Sequence, residues 1–317
     1  YAEGSLSNYL YLQKEGNPAA RGKQKLFMGA FGHGTLQGDL TYPGGGLISG
    51  DQEEQFRWWD YWLKGIDNGI MDEPPVHFYM MASARKGNVS DKNRVIASDH
   101  WPLNQSLTRY YLQPDMRLRT TPPVKPEHAN TYTFDPESPV PTVGGQNLGQ
   151  DVGPRDQREI GERDDYLRFE SMTLTEDVVV AYHIDMELYV SSDAPDTDFM
   201  VKLVDIYPDG YEALILDYPL RARFRNGQEA GNEAMLVPGE TYKLNINMWS
   251  TAQTFEAGHK IGVHITSSNY PRFAVNPNNG AALDDSRTPA VEARNTIHLD
   301  SDHPSAIILP VVTETLD

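Results

Sequence analysis

The stretch YHIDMELYVSS, residues 182–192, carries the pattern that decides the fold. Apolar and polar side chains alternate along it, so the apolar ones project from one face of an extended chain. The same period of two occurs in YKLNINM (242–248) and KIGVHITSS (260–268). Half-buried strands of this kind, separated by turns rich in Pro, Gly, Asn and Asp, are typical of antiparallel sheets. We therefore predict a β-sandwich or jelly roll, whose inward-facing residues are Ile184, Met186, Leu188, Val190, Tyr242, Leu244, Ile246, Met248, Ile261, Val263 and Ile265.

Residues 1–73 follow a different pattern. Apolar residues recur at helical spacing within residues 3–15, residues 25–29 form a short strand candidate, and residues 51–69 are the clearest helix in the chain. The order helix, strand, loop, helix is that of an α/β unit. The sequence thus predicts an α/β segment ahead of the β-rich part.

The chain changes character at the sequence EPP, residues 73–75, after which short alternating stretches dominate. We place a domain boundary there, between residues 1–73 and residues 74–317. Within the second part, residues 113–160 are rich in Pro, Gly, Asp and Gln, which predicts a long irregular excursion.

The helix at residues 51–69 contains the aromatic run FRWWDYW. Phe56, Trp59 and Leu63 recur at positions i, i+3 and i+7, and we expect them to form a buried face. Lys64 in the last turn and Gly65 after it fit the C-terminal end of a helix.

The composition indicates a globular protein whose net negative charge disfavours binding to polyanions. The 317 residues carry a formal net charge of −18, and such an acidic surface repels nucleic acid and anionic membranes. No cysteine is present, which excludes disulfides, thiolate metal sites and a cysteine nucleophile. No run of about 18 apolar residues occurs that would predict a membrane span. We predict no nucleic-acid partner, no membrane partner, no metal and no cofactor.

One histidine lies where an α/β unit keeps reactive side chains. His33 stands between Gly32 and Gly34, in the loop directly after the strand candidate at residues 25–29. Loops at the carboxyl ends of strands carry reactive groups in open α/β sheets, and the two glycines leave the imidazole unobstructed. His33 is therefore a candidate general base, with a loop histidine that makes a local hydrogen bond as the alternative. The nucleophile motif G-x-S-x-G is absent from the sequence.

Other polar clusters are weaker candidates. HLDSDH, residues 298–303, combines histidine and aspartate, and we interpret it as a strand end followed by a turn rather than a metal site. SSDAPDTDF, residues 191–199, lacks the glycine and the glutamate of an EF-hand loop, so we expect turns rather than a calcium site. His183 and His264 fall on the polar side of their strands, which predicts solvated or hydrogen-bonded surface positions.

Several segments, taken together, carry a resemblance to a known family. KQKLFMGAFGHG is similar to a strand and turn that hold a catalytic histidine. FRWWDYWLKGIDNGI, followed by EPPVHFYMM, is similar to the last helix of a catalytic domain and the segment that leads from it into a C-terminal domain. Four later stretches are similar to successive segments of a C-terminal β domain. They are LYVSSDAPDTDFMVKLVDIYPDG, LRARFRNG, GHKIGVHITSSNYPRFAVNPNNG and HPSAIILPV. The family they resemble, over nearly the whole chain and in the same order, is the cocaine esterase, α-amino-acid ester hydrolase and Xaa-Pro dipeptidyl-peptidase family of serine hydrolases.

The resemblance implies an α/β-hydrolase catalytic domain with a Ser-His-Asp triad, and a β jelly roll that closes over the active site. Residues 1–73 would be the C-terminal part of that catalytic domain and residues 74–317 the jelly roll. His33 matches the family's catalytic histidine, although Ala30 and Phe31 stand where the family usually has Pro and Trp.

The same resemblance places the other two triad members upstream of Tyr1, the aspartate in a Gly-aromatic-aromatic-Asp segment and the serine before it. We therefore expect the C-terminal portion of a longer enzyme that cleaves esters or amides and is inactive without its N-terminal half. Its substrates would be small esters, amides or short peptides; self-association into a homo-oligomer and the cellular compartment are left open. The competing interpretation is a non-catalytic β-sandwich module that binds carbohydrate or protein.

Overall fold

The computed structural model describes residues 2–32, 38–46, 48, 51–148, 152–229 and 231–316. Within these residues the protein is mostly a β-sandwich, preceded by two α-helices, α1 (Ala2–Glu15) and α2 (Asp51–Lys64). No helix in this part of the chain is long and apolar enough to cross a membrane. The strands are β1 (Leu26–Met28), β2 (Val76–Met80), β3 (Ala84–Arg85), β4 (Asn88–Val89), β5 (Arg94–Ser98), β6 (Gln105–Leu112), β7 (Arg117–Arg119), β8 (Ala129–Phe134), β9 (Leu167–Ser171), β10 (Val178–Ser192), β11 (Asp198–Ile206), β12 (Glu212–Arg221), β13 (Tyr242–Phe255), β14 (Lys260–Thr266), β15 (Ala293–His298) and β16 (Ala306–Val312).

Eleven of the described strands form the large sheet of the sandwich. Its order is β12-β11-β14-β9-β7-β6-β16-β10-β15-β8, with β13 paired to β10. Leu188 of β10 lies opposite Leu244 of β13, and both face a core that they share with Val263 of β14. The predicted inward-facing residues are all in this core, with Tyr242 packed against its edge. The sandwich is thus confirmed, while its jelly-roll form stays a prediction.

A smaller sheet, β1-β2-β5, connects the first helix to the sandwich. β1 pairs with β2 in parallel, with Leu26 opposite Val76, and β2 pairs with β5 in antiparallel. Leu6 of α1 and Ala181 of β10 pack in the same apolar cluster, and Glu3 accepts a hydrogen bond from the backbone amide of Ser250 at 3.0 Å. The sheet therefore crosses the domain boundary placed between residues 73 and 74, a boundary that itself stays a prediction.

The helices and the first strand begin and end close to their predicted positions. α1 buries Leu6 and Tyr9, and β1 spans three of the five residues predicted as strand. α2 ends at Lys64, where the sequence predicted the last turn. Gly65 takes the left-handed conformation with φ of 71° that commonly terminates a helix, as expected.

The aromatic face of α2 is exposed, so the prediction that it is buried is wrong for this part of the chain. Phe56 is 61%, Trp59 48% and Leu63 79% exposed. The polar side of the helix is bound instead, because Arg57 donates a hydrogen bond to Glu73, which lies outside the helix, as well as to Glu54 of the same helix. The amphipathic spacing indicated an apolar face correctly, but the elements described here place no layer over it.

The excursion predicted at residues 113–160 is only partly irregular. It contains β7 and β8, and β8 pairs in antiparallel with β15, so that Tyr132 lies opposite Asn295. It ends in a short 3-10 helix, Gln157–Ile160. The Pro and Gly content predicted loops correctly, but it hid two short strands that complete the sheet.

The two strand histidines, His183 and His264, lie in different surroundings. His183 is half-buried, and its Nε2 lies 3.1 Å from the Asp185 carboxylate, as expected for a hydrogen-bonded position near the surface. His264 is 1% exposed, and its Nδ1 lies 3.0 Å from the hydroxyl of Tyr166. The prediction of a surface position for His264 is therefore wrong.

His264 is buried because the end of the excursion covers the outer face of β11 and β14. Gln157 accepts a hydrogen bond at 2.8 Å from the ammonium of Lys202, which is fully buried on β11. Burial lowers the pKa of Lys202 to about 8. Burial also lowers the pKa of His264 well below its ordinary value, with Arg168 and Lys202 acting in the same direction. This face of the sandwich is therefore a second interior rather than a solvated surface.

Candidate functional site

In the sequence, β1 is followed closely by the predicted catalytic histidine, His33. The strand ends at Met28, and the structure describes residues 29–32 that follow it. His33 itself lies outside the described residues, so its role as a general base stays a prediction. What the structure gives is the surroundings of the turn immediately before it.

A cavity of about 520 Å³ opens beside this turn. Residues 29–32 form one part of its wall. The sandwich forms another part with residues 214–216 of β12 and 250–252 of β13, and the excursion adds residues 145–148. The turn before His33 and the β domain therefore face the same space.

The lining of the cavity is mainly apolar. None of the described lining residues is Asp, Glu, Lys, Arg or His, so this part of the wall binds apolar groups and supplies no strong acid or base. Burial raises the pKa of both Tyr42 and Tyr79 above an ordinary value that already lies well above neutral pH, so both hydroxyls are neutral groups. The polar residues that line the cavity are Ser5, Tyr42, Tyr79, Gln146, Asn147, Ser250 and Thr251.

A Ser-His-Asp arrangement that the sequence analysis missed lies elsewhere, between the segment after β2 and the sandwich. Ser83 Oγ lies 3.2 Å from His259 Nε2, and His259 Nδ1 lies 2.8 Å from Asp205 Oδ1. Gln253 donates a hydrogen bond to the second carboxylate oxygen of Asp205 at 3.3 Å. These bonds have the order of a catalytic triad.

The burial of these three residues indicates a structural role rather than a catalytic one. Ser83, His259 and Asp205 are each 3% exposed or less, and Ser83 is not among the residues that line the cavity beside Gly32. Burial raises the pKa of Asp205, although the hydrogen bond with His259 acts in the opposite direction. A nucleophile must reach its substrate, so we interpret the three residues as a polar anchor between the segment after β2 and the sandwich.

A serine substitution tests this interpretation. Ser83→Ala is expected to lower the free energy of unfolding by about 1–3 kcal/mol, because it leaves a ring nitrogen of buried His259 without its partner. It is expected to leave ester hydrolysis by the full-length protein unchanged. Chemical denaturation and an esterase assay measure the two effects, with Ser138→Ala, an exposed serine, as the control. A hundredfold loss of activity in folded Ser83→Ala protein would make Ser83 a catalytic residue instead.

Two of the three aspartates of SSDAPDTDF, Asp196 and Asp198, bind arginine side chains. Asp196 accepts hydrogen bonds from the backbone amide and Nε of Arg223 at 3.0 and 2.7 Å. Asp198 accepts two from Arg221 at 2.9 and 3.0 Å, and Asn276 donates to both carboxylates. These two carboxylates are thus paired with guanidinium groups, whereas Asp193 accepts a hydrogen bond from the backbone amide of Arg294 at 2.8 Å.

The segment HLDSDH begins as predicted, with the end of strand β15 at His298 and a turn after it. The turn brings His298, Asp300 and His303 close to one another. The sequence pattern indicated these residues but not that they meet.

Comparison with known proteins gives the family. Residues 68–308 match the model of the X-Pro dipeptidyl-peptidase C-terminal non-catalytic domain. The chain belongs to the cocaine esterase and Xaa-Pro dipeptidyl-peptidase family. It is 32% identical over 309 residues to cocaine esterase of a Rhodococcus species, strain MB1 Bresler, an alignment that covers 91% of this chain and 51% of the relative. The family of this chain is therefore hydrolytic, and the resemblance noted from the sequence is confirmed.

Two solved structures share the fold. The aminopeptidase of a marine sediment Thaumarchaeota archaeon has a TM-score of 0.81 and 23% identity, covering 98% of this chain and 52% of its own. An α-amino acid ester hydrolase has a TM-score of 0.77 and 24% identity, covering 97% of this chain and 53% of its own. The chain spans about half the length of the curated relatives it matches.

Proposed function

We propose that this chain is the C-terminal part of a serine hydrolase that cleaves esters or amides. In this proposal residues 1–73 complete an α/β-hydrolase catalytic domain, and residues 74–317 form a jelly roll that closes the active site. A preceding half supplies the nucleophilic serine and the triad aspartate. The hydrolytic family and the coverage of about half of each relative support this arrangement.

One observation carries the proposal. The turn of residues 29–32, which leads into His33, and strands β12 and β13 of the sandwich line the same apolar cavity. A base placed at the mouth of such a cavity would act on a substrate whose apolar part is held by the β domain. A free-standing binding module has no need of this arrangement.

Two further features support a preceding half that packs on residues 1–73. Among the described residues β1 pairs only with β2, whereas parallel strands are usually found inside larger sheets. In addition, α2 exposes Phe56, Trp59, Trp62 and Leu63, more apolar surface than one helix commonly leaves in water. More strands beyond β1 would extend the sheet, and the helix would cover its face.

In the proposed mechanism His33 acts first as a general base and then as a general acid in each half-reaction. Its imidazole takes the proton of the serine hydroxyl as that oxygen attacks the carbonyl carbon, and then gives it to the leaving alcohol or amine. In the second half-reaction it takes a proton from water, which attacks the acyl-enzyme, and returns a proton to the serine. The aspartate would hold the imidazole in the tautomer that this transfer requires.

The apolar cavity favours substrates with an apolar acyl or leaving group, because the described wall offers only neutral polar groups. Three substrate classes fit the proposal: simple esters, α-amino acyl esters or β-lactams, and Xaa-Pro peptides. A panel of p-nitrophenyl esters, amino-acid esters and Xaa-Pro anilides, assayed with the full-length enzyme, distinguishes them by kcat/KM.

The division of labour between the halves gives a direct test. The 317-residue chain alone is expected to show no acyl-enzyme burst with a chromogenic ester, whereas the full-length protein shows one burst equivalent per active site. A burst from the 317-residue chain would contradict the proposed location of the serine. An upstream reading frame without a Gly-aromatic-aromatic-Asp segment and a nucleophile motif would favour the binding-module alternative.

A further inference from the structure

The connection between β15 and β16 brings three side chains with metal-binding atoms together. One ring nitrogen of His298, one of His303 and one carboxylate oxygen of Asp300 all lie within 4.8 Å of one another. We propose that these three residues bind a divalent transition-metal ion of the zinc class, with water as the fourth ligand. The sequence pattern of residues 298–303 predicted a strand end and a turn rather than a metal site.

The spacing of the ligand atoms suits a tetrahedral ion. His303 Nδ1 lies 3.1 and 3.3 Å from the two carboxylate oxygens of Asp300. Two ligand atoms that each lie about 2.0–2.2 Å from a tetrahedral zinc ion are roughly 3.3 Å apart. An ion can therefore replace the proton between these two side chains with little movement. A ring nitrogen of His298 lies within 4.8 Å of both ligand atoms, and it would move closer to complete the set.

The chemistry of the three groups selects the class of ion. Two imidazoles and one carboxylate suit zinc, copper, nickel or cobalt, whereas calcium and magnesium prefer sets of oxygen ligands. Neutral imidazoles and an ionised carboxylate are the forms of these side chains that bind metal.

Buried contacts hold the ligands in place without an ion. Ser305, which is fully buried, donates a hydrogen bond to the carbonyl of His298 at 2.8 Å and accepts one from the amide of Tyr189 at 2.9 Å. Ser191 Oγ lies 3.0 Å from His298 Nε2, a second partner of the kind that orients ligand histidines. His303 packs edge-on against Tyr189, and its side chain is 37% exposed, so an ion and water can enter.

Isothermal titration of the intact, chelator-treated protein with zinc chloride tests the site. The wild-type protein is expected to bind one zinc ion per chain at this site, and His303→Ala to raise the Kd at least about 100-fold, since even the loss of a partner of a ligand costs 10–100-fold. His100→Ala is the matched control, because His100 is partly exposed on a different loop and bonds Glu314. Its Kd should equal that of the wild type.

Cobalt absorption gives an independent reading that does not depend on a variant. Binding of Co²⁺ to the wild-type protein should produce the intense visible bands of a four-coordinate ion, and zinc should displace them. Where His303→Ala fails to fold, His298→Gln and Asp300→Asn replace it in the titration. Absence of zinc binding, an unchanged Kd in the folded variants, or only the spectrum of hydrated cobalt would each overturn the proposal.

Discussion

Replacing His33 with alanine in the full-length enzyme is expected to lower kcat by between about 10⁴- and 10⁶-fold, the range found when single members of a triad are replaced. The serine would then attack without a base, and the leaving group would depart without an acid. KM should change little, because the imidazole acts in the transition state more than in substrate binding. Stopped-flow assay with a p-nitrophenyl ester measures both constants.

The control for His33→Ala is His100→Ala, since the His100 side chain is 48% exposed and, among the residues that the structure describes, pairs with Glu314 at 3.3 Å. This variant should keep wild-type turnover. Circular dichroism should be the same for all three proteins, which separates a catalytic loss from unfolding. If folded His33→Ala enzyme keeps even a tenth of the wild-type kcat, the histidine is a loop residue and the assignment is wrong.

The second large effect is on stability and concerns the buried pair Arg223 and Asp196. Both residues are 2% exposed or less, and Arg223 Nε donates to Asp196 at 2.7 Å. Arg223→Met is expected to lower the free energy of unfolding by about 3–5 kcal/mol, because it leaves a buried carboxylate without its cation. Guanidinium denaturation measures the change.

A double variant separates the charge from the packing. Arg223→Met combined with Asp196→Asn removes the stranded charge while it keeps an acceptor for the backbone amide of residue 223, so it should recover much of the loss. Arg287→Met, whose side chain is 93% exposed, should change stability by less than about 0.5 kcal/mol. A double variant no more stable than Arg223→Met alone would show that the guanidinium acts through packing.

The sandwich could be predicted because its strands alternate strictly. Ile184, Met186, Leu188 and Val190 follow period two, and all four are fully buried in the main core. Alternation identifies which face of a strand is apolar, and a face of four such residues has to be covered by another layer. The strands β7 and β8 could not be predicted, because they are short and lie among prolines and glycines.

The environment of the other face could not be predicted in the same way. Lys202 and His264 have polar side chains at outward positions, yet residues from the excursion, such as Gln157, cover them. The local pattern of polar and apolar residues does not indicate which distant segment of the chain will cover a strand. For the same reason the aromatic spacing of Phe56 and Trp59 indicates an apolar face but not what covers it.

Candidate site residues were predictable only where a local motif existed. His33 was found from its glycines and its position after a strand, and the family resemblance then gave it a proposed role. The anchor of Ser83, Asp205 and His259 was missed because its members lie far apart in sequence and none has a distinctive neighbour. His298, Asp300 and His303 were noticed together, but their contact depends on a turn whose exact path the sequence does not specify.

The parallel pairing of β1 with β2 has an evolutionary consequence. The two strands stand on opposite sides of the proposed boundary at residue 73, and Leu26 and Val76 share one apolar cluster. A recombination event that joined a foreign β domain at this boundary would have to restore both the ladder and the cluster. We therefore expect a chain recombined at this boundary to lose stability unless the incoming domain supplies both contacts.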